Sequence, residues 1–200
     1  MTGIVDYGLG NLHSVNNALL YIGEESVISS DKDVLSKCDR LILPGVGAFP
    51  DAMKRLYELD FVDFLRDYAK DRPLLGICLG MQLLFDKGFE FEEVDGLGLI
   101  KGEVRKIEGE NLIIPHMGWN KLEKNVECPL MNGIGDDEYV YFVHSYKAFC
   151  DDSNVAAYCE YGSKVVSLVT DNKFVFGAQF HPEKSGSTGL KILSNFGELL

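Results

Sequence analysis

Short apolar runs and helically spaced apolar residues alternate through the first eighty positions of the chain. Thr2 to Tyr7 is a run of the first kind and ends in "DYGLGN". In "NLHSVNNALLYIG" the apolar residues fall at Leu12, Val15, Leu19 and Ile22, the spacing of one helix face. Asn11 is placed to cap that helix and Gly23 to stop it. "ESVIS" predicts a second strand, and "DRLILPGVGAF" a third over Arg40 to Leu43, halted by Pro44 and Gly45. Helical segments fall within residues 49 to 70. "RPLLGICL" is apolar throughout after Pro73, as suits a strand covered on both faces. "CLGMQLLFDKG" then predicts a helix beginning at or near Cys78. This alternation predicts an α/β fold, an open and mostly parallel sheet with helices on both faces.

From about residue 97 the texture changes to short β-forming stretches. "YVYFVHSYKAF" is strongly β-forming, "NVAAYCEYG" and "KVVSLVTDN" are joined by the turn "YGSK", and "KFVFGAQFHPEKSG" gives a strand ended by Pro182. "TGLKILSNFGELL" closes the chain as an amphipathic helix. These stretches predict a smaller antiparallel extension. No repeat, low-complexity tract or linker interrupts the chain, so residues 1–200 are expected to form one domain.

Composition narrows the function classes. With 46% apolar and 25% charged residues, the chain can bury a core and is not a disordered polymer. A formal net charge of -12 argues against nucleic acid and anionic membranes as partners. No stretch approaches the length of a membrane span, and "MTGIVDYGLG" has no basic run followed by an apolar segment, so no secretory leader is expected. The five cysteines, Cys38, Cys78, Cys128, Cys150 and Cys159, are odd in number and form no CxxC pair. Neither a disulfide framework nor a cysteine zinc site is expected, which suits a reducing cytoplasm.

One cysteine stands apart. In "GICLGMQLL", Cys78 lies between a predicted strand and a predicted helix, with Gly76 and Gly80 two residues to either side. A nucleophile on a sharp strand-to-helix turn needs small residues at those two places. Helix-end amides would favour its thiolate and donate to a developing oxyanion. The alternative is that two glycines merely permit close strand–helix packing.

A thiolate needs a base, and the histidines are His13, His116, His144 and His181. His181 follows an apolar strand in "GAQFHPE", with Glu183 two residues on. In an extended segment these two side chains face the same way, so the carboxylate can orient the imidazole. A surface His-Pro-Glu turn is the plain alternative. The pairing of elbow and His-x-Glu favours a Cys78–His181–Glu183 triad. The acid follows the histidine immediately, which is not the order of α/β-hydrolases.

"PGVGAF" places Gly45 and Gly47 at the end of a predicted parallel strand, where backbone amides can turn toward a substrate oxygen. "DYGLGN" lacks the GxGxxG spacing, and no acidic ribose partner is evident, so a dinucleotide site is rejected. No cofactor and no metal is expected.

These elements together resemble the class I, triad-type glutamine amidotransferases, over essentially the whole chain. The resemblance rests on "DYGLGNLHSV", "LPGVGAF", "GICLGMQLL", "PHMGWN", "HSY" and "GAQFHPEKSG". Ala48 stands where many members carry another residue, often histidine, which leaves the backbone amides of that loop intact. The resemblance implies a flavodoxin-like amidotransferase fold and hydrolysis of L-glutamine to glutamate and ammonia. In it Cys78 is the nucleophile, His181 the base and then the acid, and Glu183 the orienting carboxylate. Gly47 and Leu79 contribute oxyanion amides, Gln82 touches bound glutamine, and the His144–Ser145–Tyr146 backbone holds its amino-acid end. His144 itself is equally a strand histidine satisfied by hydrogen bonds.

"DYGLGN", "HMGWN" and "HPEKSG" narrow the resemblance to glutaminase subunits that pass ammonia to a (β/α)8 cyclase subunit in histidine biosynthesis. Asn11, Trp119, Asn120 and Lys184 then lie near that partner. Trp119, the only tryptophan, is by composition equally a core residue. Three rivals stay open: the glutaminase of another amidotransferase, a stand-alone cysteine hydrolase of the same fold, and a binding module without activity.

Overall fold

A computed structural model describes residues 1–199 and realises the apolar runs as strands buried on both faces. The first half comprises β1 (Thr2–Val5), α1 (Leu12–Tyr21), β2 (Ser26–Ser29), α2 (Lys32–Leu35) and β3 (Arg40–Gly45). It continues through α3 (Phe49–Glu58), α4 (Phe61–Tyr68), β4 (Leu74–Cys78), α5 (Leu79–Gln82) and β5 (Phe85–Gly88). The second half adds β6 (Val94–Asp95), β7 (Ile100–Lys106), β8 (His116–Lys121), β9 (Glu123–Lys124), β10 (Tyr139–His144) and β11 (Tyr146–Cys150). It ends with β12 (Val155–Glu160), β13 (Lys164–Thr170), β14 (Val175–Ala178) and α6 (Gly186–Gly197).

The main sheet has the order β2-β1-β3-β4-β14-β13-β12-β9. Its first five strands are mutually parallel and the other three antiparallel. Alternation along each strand feeds two cores. On β3, Leu41 and Leu43 join Met53 and Leu56 of α3 and Leu65 of α4. Ile42 between them faces Leu19 of α1 and Ile192 and Phe196 of α6. Helices therefore cover both faces, and this is why the strands read as unbroken apolar runs. Two smaller sheets, β10-β8 and β11-β7-β5-β6, form the antiparallel extension, apart from one parallel pairing of β5 with β7.

Several boundaries differ from the sequence reading. β3 runs on through Pro44 and Gly45, which pair with Ile77 and Cys78. The pairing with β1 ends at Ile42, so the N–H that Pro44 lacks is not needed on that side. The helix after Cys78 is one turn long, because Phe85 pairs with Ile100 and the strand ladder takes over. "YVYFVHSYKAF" breaks at Ser145 into two strands that belong to different sheets. β14 stops at Ala178 rather than at Pro182. Asn11 is at the cap position of α1 but caps with its carbonyl, which accepts from Ser14 and Val15 N–H, and not with its side chain. Among the described residues no helix is long and apolar enough to cross a membrane.

Candidate active site

Cys78 ends β4 at the C-terminal edge of the parallel strands, flanked in the sheet by β3 and β14. Its backbone takes φ 56° and ψ -111°, a conformation that a side chain adopts only under strain. Three glycines permit the bend. A Cβ on Gly76 would lie 2.5 Å from the Gly80 carbonyl oxygen, and one on Gly45 would lie 2.7 Å from Gly80 N. A Cβ on Gly80 itself would run into the Leu43 carbonyl.

Because β14 is the parallel neighbour of β4, the chain leaving it delivers His181 to the same edge. His181 is held by its N–H on the Tyr141 carbonyl at 3.0 Å and by Ser185 Oγ, which donates to the His181 carbonyl at 2.7 Å. A short 3-10 turn, Pro182–Lys184, folds Glu183 back so that Oε1 accepts from His181 Nδ1 at 2.8 Å. Nε2 is thereby the ring nitrogen left for the sulfur. Burial alone would lower the His181 pKa. Interaction with the Cys78 sulfur and the Glu183 carboxylate outweighs burial and lifts it to about 9. The sulfur lies 3.9 Å from the Val143 carbonyl oxygen and close enough to the imidazole to raise the ring's pKa by hydrogen bonding. Such bonds tighten when substrate arrives.

Cys78 and His181 open into a cleft of about 370 Å³, to which Gly47, Leu79, Gln82, His144, Ser145 and Tyr146 also contribute. Size alone does not find it: a recess of about 660 Å³ near Lys124–Met131 holds none of these residues. Gly47 has φ 102° with open space around it, as a loop that turns its amides requires. Gly45 does not line the cleft. It is a buried strand residue paired with Cys78, and its lack of a side chain serves the Gly80 crossing.

Glu90 lines the cleft and was not singled out from the sequence. Its Oε2 accepts from the Phe49 N–H at 2.8 Å, at the N-terminus of α3. In "KGFEFEE" nothing separates Glu90 from Glu92 and Glu93; only the fold does.

The expected partner residues divide. Trp119 is not core but 56% exposed, and its indole end approaches Gly186, next to the turn that carries Glu183 and exposed Lys184. α1, which Asn11 opens, packs on the same turn. Asn120 does not join them. Strand alternation turns its side chain away, where Nδ2 donates to the Glu160 carbonyl at 3.0 Å and Oδ1 accepts from Lys121 N–H.

His181 in its acid form is the group able to protonate a leaving amine, and the Cys78 sulfur and the Glu183 carboxylate together sustain that form. The alkaline limb of kcat/KM is therefore expected near pH 9. Glu183→Gln should move it toward the ordinary histidine value near 6.5 and lower kcat/KM by a factor on the order of 100 to 10,000. A limb that stays in place in the pH profile would remove Glu183 from this role. The linkage has a definite sign: a raised histidine pKa stabilises the fold fully below about pH 6.5, and that contribution is lost as pH rises through about 9.

A family model described as glutamine amidotransferase class-I matches residues 3–199. The chain is 52% identical over 197 residues to the imidazole glycerol phosphate synthase subunit HisH of Bacillus cereus strain G9842, covering 98% of this chain and 93% of that protein. It is 50% identical, at the same coverage, to the protein of that name from Bacillus thuringiensis strain Al Hakam. Among solved structures it superposes on PurLQS from Thermotoga maritima with a TM-score of 0.76 at 22% identity, covering 98% and 96% of the two chains. A structure described as a glutamine amidotransferase matches with a TM-score of 0.76 at 21% identity, covering 98% of both. These two likenesses are of fold.

Proposed function

This chain belongs to the glutamine amidotransferase class-I family, and we propose that it is the glutaminase subunit of an imidazole glycerol phosphate synthase. It hydrolyses L-glutamine and hands the ammonia to a (β/α)8 cyclase subunit, which makes imidazole glycerol phosphate and an aminoimidazole carboxamide ribonucleotide. The observation that carries this reading is the identity with HisH proteins along nearly the full length of both chains, with Cys78, His181 and Glu183 gathered at one sheet edge. Residues 1–200 act as one domain in the cytoplasm, where the five unpaired thiols would stay reduced.

The chemistry follows from the groups present. The Cys78 sulfur attacks the carboxamide carbon, and the carbonyl π electrons move to oxygen, where the amides of Gly47 and Leu79 receive the negative charge. The tetrahedral adduct collapses as His181 Nε2 gives its proton to the departing nitrogen, leaving a γ-glutamyl thioester and ammonia. His181, now neutral, takes a proton from water; the hydroxide adds to the thioester and glutamate leaves with the sulfur restored. Glu183 accepts from Nδ1–H throughout and steadies the imidazolium. Gln82 and the 144–146 backbone hold the amino-acid end, and Glu90 supplies negative charge suited to the α-ammonium group.

Ammonia released into neutral water is mostly protonated to ammonium, which is not a nucleophile, so release must occur against a docked acceptor. Met117, Trp119 and Tyr139 are exposed on one face of the β8–β10 sheet, with Tyr141 opposite Trp119. An apolar aromatic face beside the catalytic turn suits a partner subunit. Trp119→Ala should weaken cyclase binding about tenfold or more, measured by calorimetry, while glutaminase activity at saturating cyclase stays unchanged. Unaltered affinity would clear this face of the docking role.

The whole reading is tested by assaying glutamate and ammonia production with the purified chain alone and with its cyclase. Hydrolysis that rises on adding the cyclase supports it. Hydrolysis indifferent to the cyclase points to a stand-alone hydrolase, and none with the cyclase present ends the glutaminase reading.

A further inference from the structure

Two hydrogen-bond chains that begin outside the cleft meet at the Tyr146 carbonyl. Its oxygen lies 2.7 Å from His144 Nδ1 and 3.1 Å from Gln82 Nε2. A carbonyl only accepts, so His144 carries its proton on Nδ1, and Gln82 turns its amide nitrogen to that oxygen. Burial pulls the pKa of both His116 and His144 down to about 4, so both rings are neutral. His144 Nε2 is then a bare acceptor, 2.9 Å from His116 Nδ1, and His116 must donate.

Gln82 Nε2 gives its second hydrogen to Gln179 Oε1, 3.0 Å away. This leaves Gln179 Nε2 buried without a partner. Turning the Gln179 amide over would set two NH2 groups face to face, so the orphan nitrogen is the consequence of holding Gln82. With both hydrogens of Gln82 engaged, Oε1 is the amide atom left for the cleft. Neither His116 nor Gln179 is part of the cleft lining. Each nonetheless decides which atom its neighbour presents.

Resting on the glutaminase reading of this site, we propose that His116 and Gln179 are positioning residues for glutamine. Acting through His144 and Gln82, they hold the Tyr146 carbonyl from two sides. The 144–146 backbone and the Gln82 Oε1 acceptor are thereby set for the amino-acid end of the substrate before it binds.

His116 is also sandwiched between Phe142 and Tyr161, with ring centroids 4.7 and 4.0 Å away and planes inclined by 21° and 20°. Packing and donation can be separated by substitution. His116→Phe keeps the aromatic disc and loses the donor. His116→Asn loses the disc and keeps an N–H close to the Nδ1 position.

Glutaminase kinetics with saturating cyclase are compared for these variants and Gln179→Leu, together with alkylation of Cys78 by iodoacetamide, which has no amino-acid end. His116→Phe and Gln179→Leu are expected to raise KM for glutamine about tenfold or more with kcat changed less than about threefold. His116→Asn should remain within about threefold of wild type in KM, and alkylation should stay within about twofold in all three. The reverse order, Asn worse than Phe, assigns His116 to packing and overturns the proposal. So does an unchanged KM in both His116→Phe and Gln179→Leu, or alkylation that falls in step with kcat/KM. Wild-type protein that hydrolyses no glutamine overturns the glutaminase reading and this proposal with it; active wild type with indifferent variants overturns this proposal alone.

Discussion

Cys78→Ala protein is expected to fold and to bind the cyclase as the wild type does, and to release no measurable ammonia from glutamine, with kcat lower by a factor on the order of 10,000 to 1,000,000. In the proposed mechanism the sulfur is the atom that bonds to the substrate carbon, and no other group at this edge is given that part. Residual hydrolysis would be what the oxyanion amides and substrate positioning give to water. Ammonia release near the wild-type rate would end the triad assignment. The same position carries a stability prediction. A φ of 56° with ψ of -111° strains any residue with a side chain, and glycine takes it freely. Cys78→Gly should therefore be as inactive as Cys78→Ala yet more stable than it by about 1 kcal/mol, after allowing for the greater freedom of glycine in the unfolded chain. Urea unfolding of the pair decides. A glycine variant less stable than the alanine variant would mean that the nucleophile sits on an unstrained turn.

The second large effect is expected from one added methyl group. A Cβ on Gly80 would collide with the carbonyl of Leu43, a backbone group in the central strand β3 that no side-chain rotation can move aside. Either α5 lifts from the sheet or β3 separates from β4, and both disturb the Gly45–Cys78 pairing. Gly80→Ala should lose stability on the order of 4 kcal/mol, lowering Tm by about 10 °C or more. Activity should fall further than the folded fraction does, because Leu79 N–H and the Cys78 sulfur would both be displaced. Calorimetry on the purified variant tests this directly. A Tm within a degree or two of wild type would show that the helix stands further from β3 than this geometry requires.

Much of the proposed catalytic edge was legible because its chemistry imposes local rules. A bend between strand and helix tolerates only glycine at residues 76 and 80, so the spacing around Cys78 is visible in the string. The His181–Glu183 contact is equally local, but the structure makes it through a 3-10 turn over Pro182–Lys184 and not through the extended segment that the sequence suggested. The strands of the main sheet were legible for a related reason: with helices on both faces, Leu41–Leu43 and Leu74–Ile77 have no polar side to show. Single-turn helices carry no such signature. "CLGMQLLFDKG" supports a longer helix just as well, and it was the β5–β7 pairing that ended α5 at Gln82. Trp119 illustrates the same limit, since one aromatic residue in a β-forming stretch does not say which face of its strand is covered.

By itself, then, the sequence determined the doubly covered sheet, the bend that carries the thiol and the carboxylate–imidazole pair, since each depends on neighbours within a few residues or on a repeating pattern. Tertiary structure alone decided that Glu90 lines the cleft, that the strand breaks at Ser145 beside the cleft, that Gly45 lies at the Gly80 crossing and not in the cleft lining, and that His116 and Gln179 stand behind Tyr146. Those placements come from strand pairings and side-chain contacts between residues tens of positions apart. A hydrogen bond between distant residues leaves no spacing to read, because its geometry depends on every element that brings the two ends together.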